Sequence, residues 1–125
     1  MKNKTLTFRK LVMIGDLNAA NSLFGGQLMK WSDEAAALYA MCQMKTQKIV
    51  TLKVSELLFL KPIKSGDFLE FYGSTLKVGK TSFSVKLEVV RKKIEDDSRE
   101  DVFSCEMIFV SVDDQGNSVP HKAQP

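Results

Sequence analysis

The chain has a single histidine, His121, and it lies in a polar tail, so a catalytic imidazole is a poor expectation. It has two cysteines, Cys42 and Cys105, both in apolar segments and without CxxC spacing. A metal site or redox pair is therefore not expected, and the plain reading is two buried free thiols in a reducing cytoplasm. Charge of one sign is scarcely in excess: 18 Lys and Arg against 15 Asp and Glu leave +3, spread along the chain. That does not argue for a nucleic-acid partner, although a mild positive field would help hold an anionic small molecule such as a phosphorylated cofactor. Lys2, Lys4 and Arg9 are followed by no apolar core and no small-residue cleavage site, so no secretory signal is expected. Internal repeats, linkers and low-complexity segments are also missing.

What is present is an ordinary globular composition, 44% hydrophobic and 26% charged. A length of 125 residues suits one domain, 1–125, with a sizeable core. The chain is organised around residues 16–42, DLNAANSLFGGQLMKWSDEAAALYAMC. The stretch begins with turn-forming Asp16, Asn18, Asn21 and Ser22, ahead of Gly25-Gly26. Phe24, Leu28, Trp31, Ala35, Leu38 and Cys42 then recur at spacings of three and four, which predicts a helix. Met29, Ala36, Ala37, Ala40 and Met41 fill much of the other face, so a helix buried nearly all round is expected. It is too short, and too charged at its start, to span a membrane. Asp33 is the awkward residue in it, since carboxylates seldom sit in a buried helix without a partner or a task.

Taken in order, residues 5–13 predict an entering strand. Asn21 or Ser22 is the expected helix N-cap, which places both glycines in the first turn, where glycine is a poor helix former. Close backbone approach to a ligand and free N–H groups at a positive helix end would both account for them. The helix fades near residues 45–48, and residues 49–60 read as a strand ended by Lys61-Pro62. A turn at residues 64–67 leads to a strand over 68–78, with Gly73 as an expected bulge. A hairpin at residues 78–80 precedes an alternating strand over 81–90, then a charged loop over 94–101 and a last strand over 102–112. The tail from about residue 114 is expected to be poorly ordered. Strand, long helix, then four strands with short connections is an α+β pattern with an antiparallel sheet.

The motif D-x-N-x-x-x-x-L-F-G-G over residues 16–26, followed by helical Asp33-Glu34, resembles the hotdog-fold acyl-CoA hydrolases. The likeness continues through VTLKV (50–54), FLKPIKSGD (59–67) and GKTSFSVKLEVV (79–90), and runs from about residue 11 to about residue 119. The nearest group by these motifs is the single-domain bacterial acyl-CoA thioesterases related to the tandem-domain brain acyl-CoA hydrolase. The resemblance implies an antiparallel sheet of about five strands wrapped round one long central helix. It also implies an acyl-CoA thioesterase, which turns acyl-CoA and water into a free carboxylic acid and coenzyme A. No cofactor is implied, coenzyme A being part of the substrate. The family's catalytic acid falls on Asp33 and its catalytic asparagine on Asn18, contributed by opposite subunits of a homodimer. Assembly into a hexamer, as a trimer of dimers, is expected. Two departures bear on the shape of the acyl pocket. Asn21 and Ser22 stand where the family often has glycine and then Asp or Asn, and Ala35-Ala36 replaces a glycine pair.

Thioester hydrolysis needs a base or orienter for water, donors for the developing oxyanion, and a groove for substrate. Asp33 can be the base if partial burial raises its proton affinity while leaving it ionised; a surface aspartate, or one paired with Lys30, is the plain alternative. Glu34 is better read as the i, i+4 partner of Lys30. Asn18 can hold water or the thioester oxygen, or can simply satisfy its own turn. The N–H groups around Gly25 and Gly26 are the best oxyanion donors, unless the pair serves only close packing. Thr51 can line the site, and as a β-branched strand residue it is equally accounted for by the sheet. Lys61, Lys80, Arg91, Lys92 and Lys93, with Thr81 beside Lys80, are the candidates for binding coenzyme A, although charges near strand ends are usually just solvated. The competing readings are a non-catalytic acyl-CoA-binding or sensor protein on the same fold and a purely structural subunit. The first would need an output domain, and the retained Asn18 and Asp33 speak against the second.

Overall fold

The computed structural model describes residues 3–125, which leaves Lys2 outside the described residues. Among these residues five strands form: β1 (Thr5–Leu11), β2 (Ile49–Phe59), β3 (Phe68–Val78), β4 (Ser82–Lys92) and β5 (Arg99–Ser111). One long helix, α1 (Gly25–Met44), follows a short 3-10 turn at Ile14–Asp16. The strands make one antiparallel sheet in the order β1-β3-β4-β5-β2, so β1 and β2 are its edges. On β4, Phe83, Val85, Leu87 and Val89 are fully buried while the residues between them keep access to water. That two-residue period means one covered face, and α1 is the cover.

The helix seats itself through small side chains. Ser32, Ala35, Ala36 and Ala40 are completely buried and bring its backbone down to the sheet. The Ser32 hydroxyl has no hydrogen-bond partner among the described residues, so its value to the fold lies in its size. Tyr39 packs on Gly73, where an added Cβ would lie 2.7 Å from the Tyr39 ring, and its hydroxyl shares a 2.7 Å hydrogen bond with Thr75. Gly73 is thus a packing glycine, not the bulge expected from the sequence; the β3–β4 irregularity falls between Thr75 and Lys77.

Other expectations are corrected. The helix is not buried all round: Phe24, Leu38 and Cys42 are exposed, because one sheet covers only one helical face. Only Cys105 is a buried thiol, and loss of hydration pushes it up to about 12. The N-cap is Phe24, not Asn21 or Ser22. Asn21 has a positive φ of 61°, and the loop is still closing on itself through the Leu17–Leu23 bridge, so helical geometry begins later. β5 starts at Arg99, inside the expected charged loop. The tail is docked. His121 N–H reaches the Lys80 carbonyl, Lys122 N–H reaches Met44 at the helix end, and Ala123 packs against the core.

The other face of the sheet holds a charge cluster. Glu70 is fully buried and accepts bonds from Arg9 (3.1 Å), Arg99 (3.0 Å) and the Tyr72 hydroxyl (2.9 Å). Burial alone would raise its pKa, but the bonds from Tyr72, Arg99 and Arg9 outweigh that and hold it below the ordinary glutamate value of 4.5. A depressed carboxylate contributes stability that is complete above its unfolded pKa and is lost as pH falls through the folded one. Thermal unfolding of the parent should therefore shift downward as pH drops below about 4.5. Glu70→Gln should lose about 2 kcal/mol near neutral pH, less than for a sealed ion pair because both arginines reach water. It should also lose part of that acid dependence, which melting curves between neutral and acid pH would record.

Candidate active site

The loop before α1 is built by Asp16. Its carboxylate accepts the Met13 N–H (2.9 Å) and the Gln27 side-chain amide (3.0 Å), and its carbonyl accepts the Phe24 N–H (2.9 Å). The two bonds to the carboxylate, the Met13 one first, hold it below the usual aspartate range. They also fold the loop onto the first turn of the helix. Asn18 is exposed on that loop, its side-chain oxygen accepting the N–H groups of Ala20 (2.9 Å) and Ser22 (3.2 Å). The local turn therefore uses the oxygen, and the amide NH2 has no partner among the described residues.

Gly25 and Gly26 are the first two residues of α1, and no side chain caps the helix. Their N–H groups have no partner among the described residues and stand at the positive end of the helix. Beside Gly25 opens a cleft of about 310 Å³, walled by Leu23, Leu28, Phe59, Leu60, Pro62 and Ile63. The two glycines are not equivalent. A Cβ on Gly26 would lie 2.8 Å from the Phe24 ring, whereas one on Gly25 would meet nothing within 4 Å.

Asp33 lies further along the helix and is exposed, so the expected burial is not found in the chain taken alone. Thr51 of β2 donates a 2.9 Å hydrogen bond to its Oδ1. Among the described residues Lys30 makes no ion pair with Asp33 or Glu34.

The basic candidates divide between two ends of the molecule. Lys61 (3.2 Å from Glu100), Arg91 and Lys92 (2.7 Å from Asp97) lie toward the helix N-terminal end and have acidic partners. Lys80 and Thr81 lie in the β3–β4 hairpin, tied through the tail to the last residue of α1. Lys80 and Lys93 make no ion pair among the described residues. Among the described residues no cluster of His, Cys, Asp or Glu could hold a metal ion, and no helix is long and apolar enough to cross a membrane. Sequence reasoning missed Asp16 as the loop's organiser, although the D-x-N spacing held the signal, and it missed Phe59 and Ile63 as cleft walls.

The thioesterase superfamily matches residues 20–97, more than half of the chain. The chain belongs to the thioesterase superfamily. A Haemophilus influenzae protein named as an uncharacterized acyl-CoA thioester hydrolase is 37% identical over 90% of this chain and 75% of its own length. A hexameric thioesterase from Yersinia pestis superposes with a TM-score of 0.90 at 32% identity, covering 98% of this chain and 99% of that one. An acyl-CoA hydrolase from Staphylococcus aureus, solved with butyryl coenzyme A and coenzyme A, gives 0.88 at 29% identity, covering 98% and 73%. Variants of that enzyme with alanine for one asparagine, one aspartate or one threonine have also been solved. The thioesterase fold here is the five-stranded antiparallel sheet with one long helix described above.

The glycine contrast is testable in this thioesterase chain. Gly25→Ala should melt within about 1 kcal/mol of the parent, or slightly higher, since alanine favours helix and has room. Gly26→Ala should displace the Phe24 ring. Thermal unfolding, with the fluorine resonance of a labelled Phe24, would separate the two.

Proposed function

We propose that this chain hydrolyses the thioester of an acyl-CoA to a free carboxylic acid and coenzyme A, at a site completed by a second copy of itself. Membership of the superfamily and relatives named as acyl-CoA thioester hydrolases support the overall reaction. The observation that carries the shared site is the separation of its parts. Asp33 is eight residues beyond Gly25 in α1, about 12 Å along the axis. A carboxylate there cannot deliver water to a carbonyl held on its own chain's glycine N–H groups.

An antiparallel second copy would bring the two halves together. β2 is an open edge, and Val50, Leu52, Leu57 and Leu58 on it are exposed apolar side chains. Pairing of β2 with its counterpart turns one copy end for end, placing the loop of one beside the helix of the other. Two such sites form per homodimer, and three dimers make the hexamer that hexameric relatives suggest.

The chemistry then follows from the parts. Asp33, held by Thr51 at one oxygen, takes a proton from water with the other. The hydroxide attacks the thioester carbonyl carbon, whose oxygen gains charge against the N–H groups of Gly25 and Gly26. Asn18, a donor only, orients the water or the thioester oxygen. Collapse breaks the carbon–sulfur bond, and Asp33 returns its proton to the departing sulfur. The acyl chain lies in the apolar cleft beside Gly25. The phosphates of coenzyme A are held by Lys61 and, from the second copy, by Lys80 and Thr81, with Lys92 near; no further cofactor is used. The cytoplasm suits such a substrate.

Thiol release from acyl-CoAs ranging from acetyl to palmitoyl tests the reaction; turnover of none would overturn it, and coenzyme A binding without turnover would mark a sensor. Asp33→Asn should cost a factor of about 10² to 10⁴ in kcat while coenzyme A binding is kept. Gly25→Ala should lose activity without losing stability. Mixed Asn18→Ala and Asp33→Asn subunits, exchanged at random, should regain about a quarter of parent activity, since half of the dimers would carry one intact site. A mixture as inactive as its components despite proven exchange would place both groups within one chain.

A further inference from the structure

The connection between β2 and β3 forms the outer wall of the cleft, yet it belongs to neither strand. Leu60, Lys61, Pro62 and Ile63 line the cleft opposite Gly25 and Leu28. Main-chain bonds fix the ends of the segment: the Leu60 N–H reaches the Val102 carbonyl (2.9 Å) on β5, the Gly66 N–H reaches the Val12 carbonyl (2.8 Å), and the Val12 N–H reaches the Asp67 carbonyl (2.9 Å). Between these ends a side-chain tie to the sheet comes from one guanidinium on β4. Arg91 Nη1 donates to the Pro62 carbonyl (3.0 Å), inside the cleft wall, and to Asp67 Oδ2 (2.8 Å), at the end of the connection. Its Nε (3.1 Å) and Nη2 both donate to Glu100 Oε1 on β5.

The acceptors pass the restraint on. Asp67 Oδ2 also takes the Lys64 N–H (2.8 Å), closing the turn, and Glu100 Oε2 lies 3.2 Å from Lys61 Nζ. The Ile63 carbonyl in turn holds the Leu23 N–H (2.7 Å), which fixes the loop entering the helix. Four of the five N–H groups of Arg91 are thus taken, by two carboxylates and a carbonyl, on a side chain only 20% exposed. A phosphate arriving there would meet two carboxylates already in place.

We propose that Arg91 is a positioning residue, whose hold on residues 60–67 sets the wall of the acyl cleft and with it the acyl chain length the site accepts. This rests on the hydrolase reading above for the occupant of the cleft. Lysine would not replace it, because a point ammonium cannot span three acceptors in a fork.

The test uses Arg91→Met and Arg91→Lys in the full-length protein, read by amide hydrogen exchange, by kcat and KM across acetyl- to palmitoyl-CoA, and by inhibition with free coenzyme A. Both variants should speed exchange at Leu23 and Lys64 by about tenfold. Both should change the ratio of short- to long-chain KM by about fivefold. The coenzyme A inhibition constant should move less than about twofold. A uniform rise in KM with an equal rise in that constant would make Arg91 a phosphate ligand and overturn the proposal, as would unchanged exchange and an unchanged chain-length profile. If Arg91→Met does not fold, Glu100→Gln should show the same exchange and chain-length pattern at about a third of the size, since it weakens two Arg91 bonds and removes the Lys61 ion pair; its absence would overturn the proposal equally. A parent that turns over no acyl-CoA would instead sink the hydrolase reading, and the exchange data would still decide whether Arg91 holds the connection.

Discussion

The seat of Tyr39 on Gly73 is the contact on which the rest of this structure depends. The ring fills the space a Cβ would need, and the hydroxyl is pinned at Thr75, so α1 cannot slide along β3. Ala35, Ala36 and Ala40 let the helix come close enough for that contact to form. A helix fixed at one residue is fixed at all of them, because its rise is constant. The free N–H groups at Gly25 and the carboxylate of Asp33 therefore have set positions above the sheet, and Thr51 meets Asp33 from β2 as a consequence.

The same seating divides the chemistry. The helix turns one face down, so Leu38, Cys42 and Asp33 are left facing outward beside an apolar β2 edge. The strand has irregular pairing with β5 between Ser55 and Leu58, where Glu56 has a positive φ of 54°. Such a bulge bends and twists a strand. In this molecule the bend carries Phe59 and Leu60 to the cleft beside Gly25. Donors and cleft thus gather at the helix start, and the carboxylate lies two turns away.

Buried polar clusters hold the ends of this frame. On the solvent side of the sheet Glu70 ties β1 to β3 and to the start of β5 through Arg9 and Arg99. At the cleft end Arg91 ties β4 to β5 and to the connection entering β3. Each cluster joins segments distant in sequence, and each is stable only because every charge has a partner.

The sequence by itself determined the element order, the alternation of β4 and the helical run after Gly25-Gly26, because these follow from local periodicity and turn chemistry. Asp16, Asn18, the glycine pair and Asp33 stood out by residue type and spacing. Their grouping did not, since whether Asp33 meets Thr51 or Lys30 depends on which strand lies over the helix. The true N-cap was hidden because Asn21 and Ser22 are ordinary caps, and only the Leu17–Leu23 closure delays the helix to Phe24. Gly73 read as a bulge because a ring from a residue 34 positions earlier leaves no trace in its neighbours. Arg91 read as a candidate for binding coenzyme A for the same reason: Pro62 and Asp67 on the β2–β3 connection and Glu100 on β5 become its partners only when the sheet brings those two segments to one guanidinium. Tertiary structure decided these points because each rests on a contact between residues that sequence spacing keeps apart.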